Sequence, residues 1–391
     1  MPTRLRRAAP ADPRMDWAFR SLESWVARGL KTLGGRKDGQ PIKELHLELT
    51  HRCNLQCVMC HHWQMPFDDP ASVKREMGLP QIRAFCDDAR LLDDVEVVVL
   101  SGGEPWLRAD IVEIASYLRG RFPKASLGIL SNFWNTEMVR RRLTELRARG
   151  VDRLWLGSSL DGLEATHDSV RGQTGAFRGL MDTVAMLRRD FPGLDFSFSF
   201  TLTPRNYKEL WDCYRFVSEQ GLWFGAQMVV NHQKFEAPET FSWSDEQLRE
   251  VERQIDLVIA DLCARHGAIE RIVKGEEREA LWLWTRLFYW RYLRKYASKP
   301  ERFFYDCLAG QRYAMFDPEG NLFFCPVNKH RAIGNVNGIN FDALWRSANA
   351  EGERGFIDSC RCDCWLNCIA NPVLDRVLAL GTGAALPGAK L

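Results

Sequence analysis

Short apolar runs alternate with helical patterns along the chain from residue 43 onward. Runs rich in β-branched and aromatic residues predict six strands at 45–49, 95–101, 126–131, 153–159, 195–202 and 224–230. Apolar residues at helical spacing predict the intervening helices at 107–121, 136–149, 175–190 and 206–219. This repeat predicts an α/β protein whose parallel sheet forms a partial (β/α)6 barrel. We expect catalytic groups in the loops after the carboxyl ends of the strands.

Helical segments also lie outside this repeat. Residues 15–33 carry an apolar stripe and are expected to pack on the barrel, or else to contact a membrane surface or a partner. The segment 278–297 combines aromatic residues with arginines, and we expect it to pack beneath the barrel, to form a lid over the substrate or to contact a membrane surface. The predicted order is a tail with an amphipathic helix at 1–42, the barrel at 43–230, a helical insertion at 231–306, a cysteine-rich domain at 307–372 and a C-terminal tail at 373–391.

Composition and charge exclude several classes of protein. Hydrophobic residues make up 46% and charged residues 27% of the chain, which is typical of a globular protein. A net charge of +2 argues against a general affinity for nucleic acid. The sequence contains neither an apolar run of the ~18 residues that a membrane span needs nor the apolar core of a secretory signal. A cytoplasmic protein is therefore expected.

The twelve cysteines fall into two clusters and three isolated positions. Cys86, Cys213 and Cys263 each stand among apolar residues, where thiols pack as small hydrophobic groups, so we expect them to be buried and inert. Tight cysteine spacing in a cytoplasmic protein indicates metal binding or catalysis rather than disulfides. The clustered cysteines are Cys53, Cys57 and Cys60 near the start and Cys307, Cys325, Cys360, Cys362, Cys364 and Cys368 near the end.

The first cluster has the spacing C-x3-C-x2-C and directly follows the strand predicted at 45–49. Three thiolates on one loop can hold three corners of a [4Fe–4S] cluster, which leaves one iron without a protein ligand. A zinc site is the alternative, with His51, His61 or His62 as the fourth ligand.

A second motif, Ser101-Gly102-Gly103-Glu104-Pro105, follows the second predicted strand. Paired glycines allow the backbone to approach a ligand closely, and the carboxylate of Glu104 could bind an ammonium group. Because both motifs follow parallel strands, they are expected at the same end of the sheet.

Together these motifs resemble the radical S-adenosylmethionine (SAM) superfamily. The resemblance implies that the open iron binds the amino and carboxylate groups of SAM, which is then cleaved to a 5′-deoxyadenosyl radical. It also implies that Met59, where many members carry an aromatic residue, lies near the adenine of SAM. The implied cluster ligands are Cys53, Cys57 and Cys60, and the implied SAM segment is Gly102, Gly103, Glu104 and Pro105.

Two further stretches extend the resemblance. Ser131-Asn132 ends the third predicted strand and is similar to the TNG of the superfamily. Residues 159–177 resemble the pattern SLDG, HD, RG and GxF of a subgroup with C-terminal auxiliary clusters. Asn132, Ser159 and Arg171 are accordingly expected to contact SAM, with a purely structural role as the alternative for each.

The second cysteine cluster resembles the opening of SPASM and twitch domains. Cys307, Gly320 and Cys325 match their C-x(9–15)-G-x4-C pattern, and residues 317–321 have the composition of a hairpin turn. Two auxiliary clusters would need eight ligands, whereas six cysteines are present. One auxiliary [4Fe–4S] cluster is therefore preferred over two clusters or zinc, although the sequence does not decide which of the last four cysteines bind. The preferred ligands are Cys307, Cys325, Cys364 and Cys368.

The resemblance implies an enzyme that abstracts hydrogen from a substrate C–H bond, with the auxiliary cluster assisting oxidation or rearrangement. Because some 42 residues precede the first strand, too few for a peptide-recognition domain, the expected substrate is a small molecule, a sugar or a lipid-linked metabolite. A peptide-modifying maturase is the alternative, and a zinc scaffold or nucleic-acid-binding protein is the alternative of another class. A flavodoxin- or ferredoxin-type reductant is expected. No catalytic residue is assigned; candidate proton acceptors are His232, Asp306, Lys329 and His330.

Overall fold

The structure is a computed structural model. It describes residues 14–33, 42–151, 153–230, 241–276, 278–300, 307, 309–327, 331–360 and 365–384. The chain divides into two compact units, a helical unit and a sheet unit. The helical unit comprises Met1–Arg36, Trp243–Glu301 and Trp365–Gly388, and the sheet unit comprises Lys37–Ser242, Arg302–Cys364 and Ala389–Leu391.

The sheet unit contains a nine-stranded sheet in the order β6-β5-β4-β3-β2-β1-β7-β8-β9. The first six strands are parallel and follow one another in sequence, which confirms the predicted α/β fold. The strands are β1 Glu44–Thr50, β2 Val97–Gly102, β3 Ser126–Leu130, β4 Leu154–Ser159, β5 Asp195–Leu202, β6 Trp223–Met228, β7 Tyr313–Phe316, β8 Asn321–Phe323 and β9 Gly334–Asn335.

The four helices predicted between strands are present, and the unit contains further short helices. Tight turns of 3-10 helix lie at Arg90–Leu92, Pro105–Leu107 and Tyr207–Glu209. The α-helices of the sheet unit are α2 Met65–Asp68, α3 Ser72–Arg75, α4 Leu79–Asp88, α5 Ile111–Arg121, α6 Thr136–Ala148, α7 Glu164–Arg171, α8 Ala176–Asp190, α9 Leu210–Ser218, α13 Phe341–Trp345 and α14 Ala348–Ser359.

Along β5, buried side chains alternate with partly exposed ones. Phe198 and Phe200 are buried, whereas Ser199 and Thr201 are partly exposed. Successive side chains of a strand point to opposite faces, so apolar residues cover one face and hydroxyl groups the other. We call the face of β5 that carries these hydroxyls its polar face.

The C-terminal cysteine-rich region adds its strands to this same sheet. β7 pairs in parallel with β1, and β8 pairs antiparallel with β7. The turn between β7 and β8 is held by Asp317, whose carboxylate accepts hydrogen bonds from the backbone N–H groups of Glu319 at 3.0 Å and Asn321 at 2.9 Å. The predicted hairpin is confirmed, but its parallel pairing with β1 was not foreseen because that contact joins residues far apart in sequence.

The helical unit consists of α1 Arg14–Leu33, α10 Asp245–His266, α11 Ala268–Lys274, α12 Leu281–Ser298 and α15 Asn367–Thr382. The predicted capping box is present at the start of α10, where Ser244 and Gln247 bond each other's backbone N–H groups. α1 crosses α15 closely, since a Cβ atom on Gly29 would lie 1.8 Å from the carbonyl oxygen of Val377. α15 begins six residues before the predicted boundary at residue 373. Among the described helices, none is long and apolar enough to cross a membrane.

Candidate active site

The three cysteines of the first cluster lie on the loop between β1 and α2. Cys57 is buried, whereas Cys53 and Cys60 are partly exposed. All three pack with Leu55 and Ala176 in one small apolar cluster. The loop therefore brings the three thiols together, as the spacing predicts.

Cys53 lies in a place that disfavours ionisation of its thiol. Burial, together with the nearby Cys57, Glu104 and Cys60, raises the pKa of Cys53 to about 12. Across the described residues, no three His, Cys, Asp or Glu side chains converge closely enough to bind a single metal ion. In an iron–sulfur cube each thiolate binds a different iron, so its ligands need not converge on one point. Iron cations would also supply the positive charge that grouped thiolates require, and the cysteine loop fits such a group.

The paired glycines at the end of β2 contact the end of β1 and the start of the cysteine loop. The N–H of Gly103 donates to the carbonyl of Thr50 at 2.7 Å. A Cβ atom on Gly103 would lie 2.2 Å from the carbonyl oxygen of Arg52, and one on Gly102, which has a φ of +116°, would lie 2.5 Å from that of Thr50. The close approach that these glycines allow is therefore to the protein's own backbone, whereas the sequence suggested approach to a ligand.

Glu104 lies beneath this contact with 1% of its surface exposed. Its carboxylate accepts hydrogen bonds from the backbone N–H groups of Trp106 at 3.2 Å and Asn132 at 2.8 Å, and from the hydroxyl of Ser131 at 3.2 Å. Burial raises the pKa of Glu104 to about 7, against these hydrogen bonds, which lower it. Pro105 starts the 3-10 turn that follows.

Asn132 links the end of β3 to the cysteine loop. Its amide donates to the side-chain oxygen of Asn54 at 2.7 Å and to the sulfur of Cys53 at 3.9 Å. The next residue, Phe133, is fully buried and has a φ of +57°. A left-handed conformation costs a bulky residue about 1–2 kcal/mol, which burial of the aromatic ring offsets here.

The remaining residues expected to contact SAM lie at three different places. Met59 lies on the cysteine loop and packs against Leu55, Cys57 and Ala176. Ser159 ends β4, is partly exposed and pairs in register with Ser199. Arg171 ends α7 and contacts the sulfur of Cys57 at 3.5 Å. Contact of these three residues with SAM stays a prediction.

The histidine and aspartate of the HD motif have structural partners. The Nδ1 atom of His167 accepts a hydrogen bond from the backbone N–H of Asp161 at 3.1 Å, and burial lowers the pKa of His167 to about 3, so the ring is neutral. The carboxylate of Asp168 accepts from the N–H groups of Gly175 at 2.6 Å and Phe177 at 2.8 Å at the start of α8. These residues hold the loops around the site.

Sequence patterns missed Glu76, which fixes the start of the cysteine loop. Its carboxylate accepts hydrogen bonds from the hydroxyl of Thr50 at 2.6 Å and the backbone N–H of His51 at 3.0 Å. Glu76 follows the four-residue helix α3, where no periodic pattern sets it apart.

The second cysteine cluster is described in part. Cys307 precedes β7 and Cys325 follows β8, so the antiparallel hairpin puts both at the same end. A Cβ atom on Gly310 would lie 2.4 Å from the ring of Phe324, which places the two cysteine-bearing segments side by side. Cys360 directly follows α14.

The other cysteines of this cluster and the candidate proton acceptors are not placed. Cys362, Cys364 and the side chain of Cys368 lie outside the described residues. The four candidate acceptors, His232, Asp306, Lys329 and His330, also lie outside them. The auxiliary ligand set therefore stays a prediction.

Comparison with known proteins decides the family. Residues 47–217 match the family model described as the Radical SAM superfamily, and this stretch contains the cysteine loop, the glycine pair and Asn132. Residues 47–217 therefore form a radical SAM domain. Such a domain implies a [4Fe–4S] cluster and SAM, and it favours iron over zinc at the first cysteine cluster.

Relatives in this superfamily carry different names. The AdoMet-dependent heme synthase of Methanosarcina barkeri is 27% identical over 77% of this chain and 81% of its own length. The Fe-coproporphyrin III synthase of the same organism is 28% identical over 44% of this chain, and the match spans 40% of that protein. The structure of Streptococcus suis SuiB bound to precursor peptide SuiA covers 86% of this chain and 75% of SuiB, with 14% identity and a TM-score of 0.58. At this identity the structural likeness shows the fold alone.

Proposed function

We propose that this radical SAM enzyme cleaves SAM reductively and abstracts a hydrogen atom from a substrate C–H bond. Its [4Fe–4S] cluster would supply the electron that splits SAM into methionine and a 5′-deoxyadenosyl radical. Cys53, Cys57 and Cys60 would hold this cluster, and Glu104 would bind the amino group of SAM.

The observation that carries the proposal is that the loops after three neighbouring strands join around the cysteines. Directly after β2, the N–H of Gly103 bonds the carbonyl of Thr50 at the end of β1, and the N–H of Glu104 bonds the carbonyl of Arg52 at the start of the cysteine loop. Asn132 after β3 reaches both Cys53 and the carboxylate of Glu104. A buried carboxylate beside three grouped thiols suits a cationic ligand that binds next to an open iron.

We further propose that the C-terminal cysteines bind one auxiliary [4Fe–4S] cluster of the SPASM or twitch type. The hairpin that brings Cys307 and Cys325 to one end supports this assignment. A second cluster within electron-transfer distance could accept the electron that a substrate radical gives up. Net oxidation of the substrate would then need no other bound oxidant.

A small molecule is the substrate class that we favour, with sugars and lipid-linked metabolites included. The polar face of β5 presents the hydroxyl groups of Ser199 and Thr201, and the partly exposed amide of Gln227 lies beside Thr201 on β6. Such a surface offers hydrogen bonds without charge, which suits hydroxyl or carbonyl groups. The name of the heme synthase relative also points to a small molecule.

A peptide is the second candidate, because the neighbour SuiB was solved with a precursor peptide. The same uncharged polar face could bind peptide amides. The proposed reaction on SAM is the same in both cases.

The proposed function is tested by SAM cleavage under anaerobic conditions. Reconstituted protein with dithionite and SAM should form 5′-deoxyadenosine, measured by mass spectrometry, and Cys57→Ala should abolish it. Cys263→Ala serves as the matched control, since Cys263 is a buried cysteine of the helical unit and its loss should leave product formation unchanged. Absence of 5′-deoxyadenosine from iron-loaded wild-type protein would refute the proposal.

The substrate class is tested by isotope transfer. Cells are grown in deuterated medium, and their extract is separated by molecular mass into a metabolite fraction and a peptide fraction. Each fraction is added to the enzyme with SAM. Deuterium in 5′-deoxyadenosine should come from the metabolite fraction. Transfer from the peptide fraction alone would replace the small-molecule assignment with the peptide one.

A further inference from the structure

Backbone hydrogen bonds hold the chain on both sides of Cys57. The backbone N–H groups on either side of it, from Gln56 and Val58, donate to the carbonyls of Arg171 and Val170 at 3.1 Å each. The indole N–H of Trp63 donates to the carbonyl of Cys57 at 3.2 Å. The last turn of α7 thus forms a short ladder with the segment that carries Cys57.

The same turn of α7 aims a cation at the sulfur of Cys57. One terminal nitrogen of Arg171 donates to this sulfur at 3.5 Å. The other terminal nitrogen forms an ion pair with Asp161 at 2.5 Å, and the side chains are 12% and 0% exposed. Asp161 is itself anchored to β5, because its carboxylate accepts the backbone N–H of Thr201 at 2.6 Å.

Burial of the Arg171–Asp161 ion pair costs free energy, and a charged sulfur on Cys57 would offset more of this cost than a neutral one. Removing an ion pair from water costs several kcal/mol per ion, which its own attraction only partly offsets. A hydrogen bond from a charged donor is strongest when its acceptor is also charged, and Cys57 becomes a thiolate when it binds iron. The geometry therefore suits a cluster sulfur better than a neutral thiol.

We propose that Arg171, oriented by Asp161, sets the reduction potential of the cluster bound by Cys53, Cys57 and Cys60. Hydrogen bonds to the cysteine sulfurs and the net charge around a cluster are the main means by which proteins tune its potential. A guanidinium group beside the sulfur stabilises the extra electron of the reduced cluster and raises the potential. This inference rests on the proposed function, because it requires the cluster, and Arg171 acts here as a positioning and charge-setting residue.

The test is a redox titration of the reconstituted protein without substrate, in which the reduced cluster is measured by electron paramagnetic resonance. The relevant signal is the one that changes when SAM is added and that is absent from the Cys53→Ala/Cys57→Ala/Cys60→Ala variant. Arg171→Gln removes the charge, and Arg171→Lys keeps it. Arg178→Gln is the matched control. Arg178 is exposed on α8, so this substitution removes the same charge from the solvent-exposed surface.

We expect Arg171→Gln to lower the reduction equilibrium constant at least tenfold, equivalent to about 59 mV for a one-electron couple. Arg171→Lys should shift it less, and Arg178→Gln should leave it unchanged, with equal iron content in all four proteins. An unchanged potential in iron-loaded Arg171→Gln would overturn the inference. So would equal shifts in the glutamine and lysine variants, an equal shift in the Arg178 control, or loss of iron from both Arg171 variants.

These outcomes are separable from failure of the proposed function. If wild-type protein forms no cluster whose signal responds to SAM, the proposed function itself is wrong. If that cluster forms and cleaves SAM but its potential ignores Arg171, only the present inference is wrong.

Discussion

In this site, the surroundings of a carboxylate determine its protonation and its role. Glu104 and Asp168 are both motif carboxylates, yet Glu104 is buried among three hydrogen-bond donors, whereas Asp168 lies in α7, is partly exposed and caps the start of α8. Burial raises the proton affinity of the first, and capping gives the second a structural role. The roles of the two residues are therefore tested by different measurements.

Binding of SAM should depend on the protonation of Glu104. Because the pKa of Glu104 is raised to about 7, its carboxyl is protonated below that pH and ionised above it. The ammonium group of SAM would bind the ionised carboxylate, so the affinity for SAM should rise with pH, by up to tenfold per pH unit between about pH 5.5 and 7. The α-amino group of SAM stays charged over this range. Equilibrium dialysis of labelled SAM with cluster-loaded protein measures this slope.

The matched variant is Glu104→Gln, which removes the titrating group and should bind SAM more weakly, with no slope over this pH range. A wild-type affinity that does not change with pH would contradict the assigned role of Glu104.

Replacement of Asp168 by alanine should destabilise the sheet unit without removing a contact to a cofactor. The carboxylate caps the first turn of α8 through two backbone N–H groups, and loss of such a cap costs about 1–2 kcal/mol. The midpoint of urea unfolding measures the loss. Asp182→Ala, on the exposed side of the same helix, should change stability by no more than about 0.5 kcal/mol. Equal effects of both changes would show that the cap is unimportant.

At the scale of elements, the site depends on backbone contacts between loops from different strands. β1 and β2 are neighbours in the sheet, and the glycines after β2 sit directly on the chain that leaves β1. No side chain can occupy the space between these two backbones. The position of the cysteine loop is thus set by the absence of a side chain at residue 103.

Gly103→Ala should displace the cysteine loop and lower the iron content after reconstitution. Its Cβ atom would lie 2.2 Å from the carbonyl oxygen of Arg52, and forced packing of this kind costs about 1–3 kcal/mol. Iron assay and urea unfolding measure the two effects. Gly120→Ala, in α5 with no atom within 4 Å of the added group, should be neutral or stabilising by up to about 1 kcal/mol. Full iron loading of Gly103→Ala would contradict this account.

At the scale of the whole molecule, one sheet joins the N-terminal and C-terminal cysteine clusters. β7 pairs with β1 over four residues, from Glu44 with Tyr313 to Leu47 with Phe316. The cysteine loop therefore follows a strand that is paired directly with the first strand of the auxiliary hairpin. Cys53, Cys57, Cys60, Cys307 and Cys325 all belong to this sheet unit.

Iron content should report the number of clusters. Wild-type protein should bind about eight irons per chain after reconstitution, and the triple alanine variant at Cys53, Cys57 and Cys60 should keep about four, because each cube contains four irons. Iron and protein assays measure this ratio. Twelve irons in the wild type would indicate two auxiliary clusters, and complete loss of iron in the variant would contradict an independent auxiliary site.

The sequence by itself determined the strand–helix repeat, the hairpin at Asp317 and the radical SAM motifs, because each depends on residues close together in the chain. Cys53, Cys57 and Cys60 fall within eight residues, so spacing alone groups them. Only the tertiary structure decided the pairing of β7 with β1, the hold of Glu76 on the cysteine loop and the contact of Arg171 with Cys57. These contacts join distant segments, and local periodicity carries no information about which buried partner a charged side chain will meet.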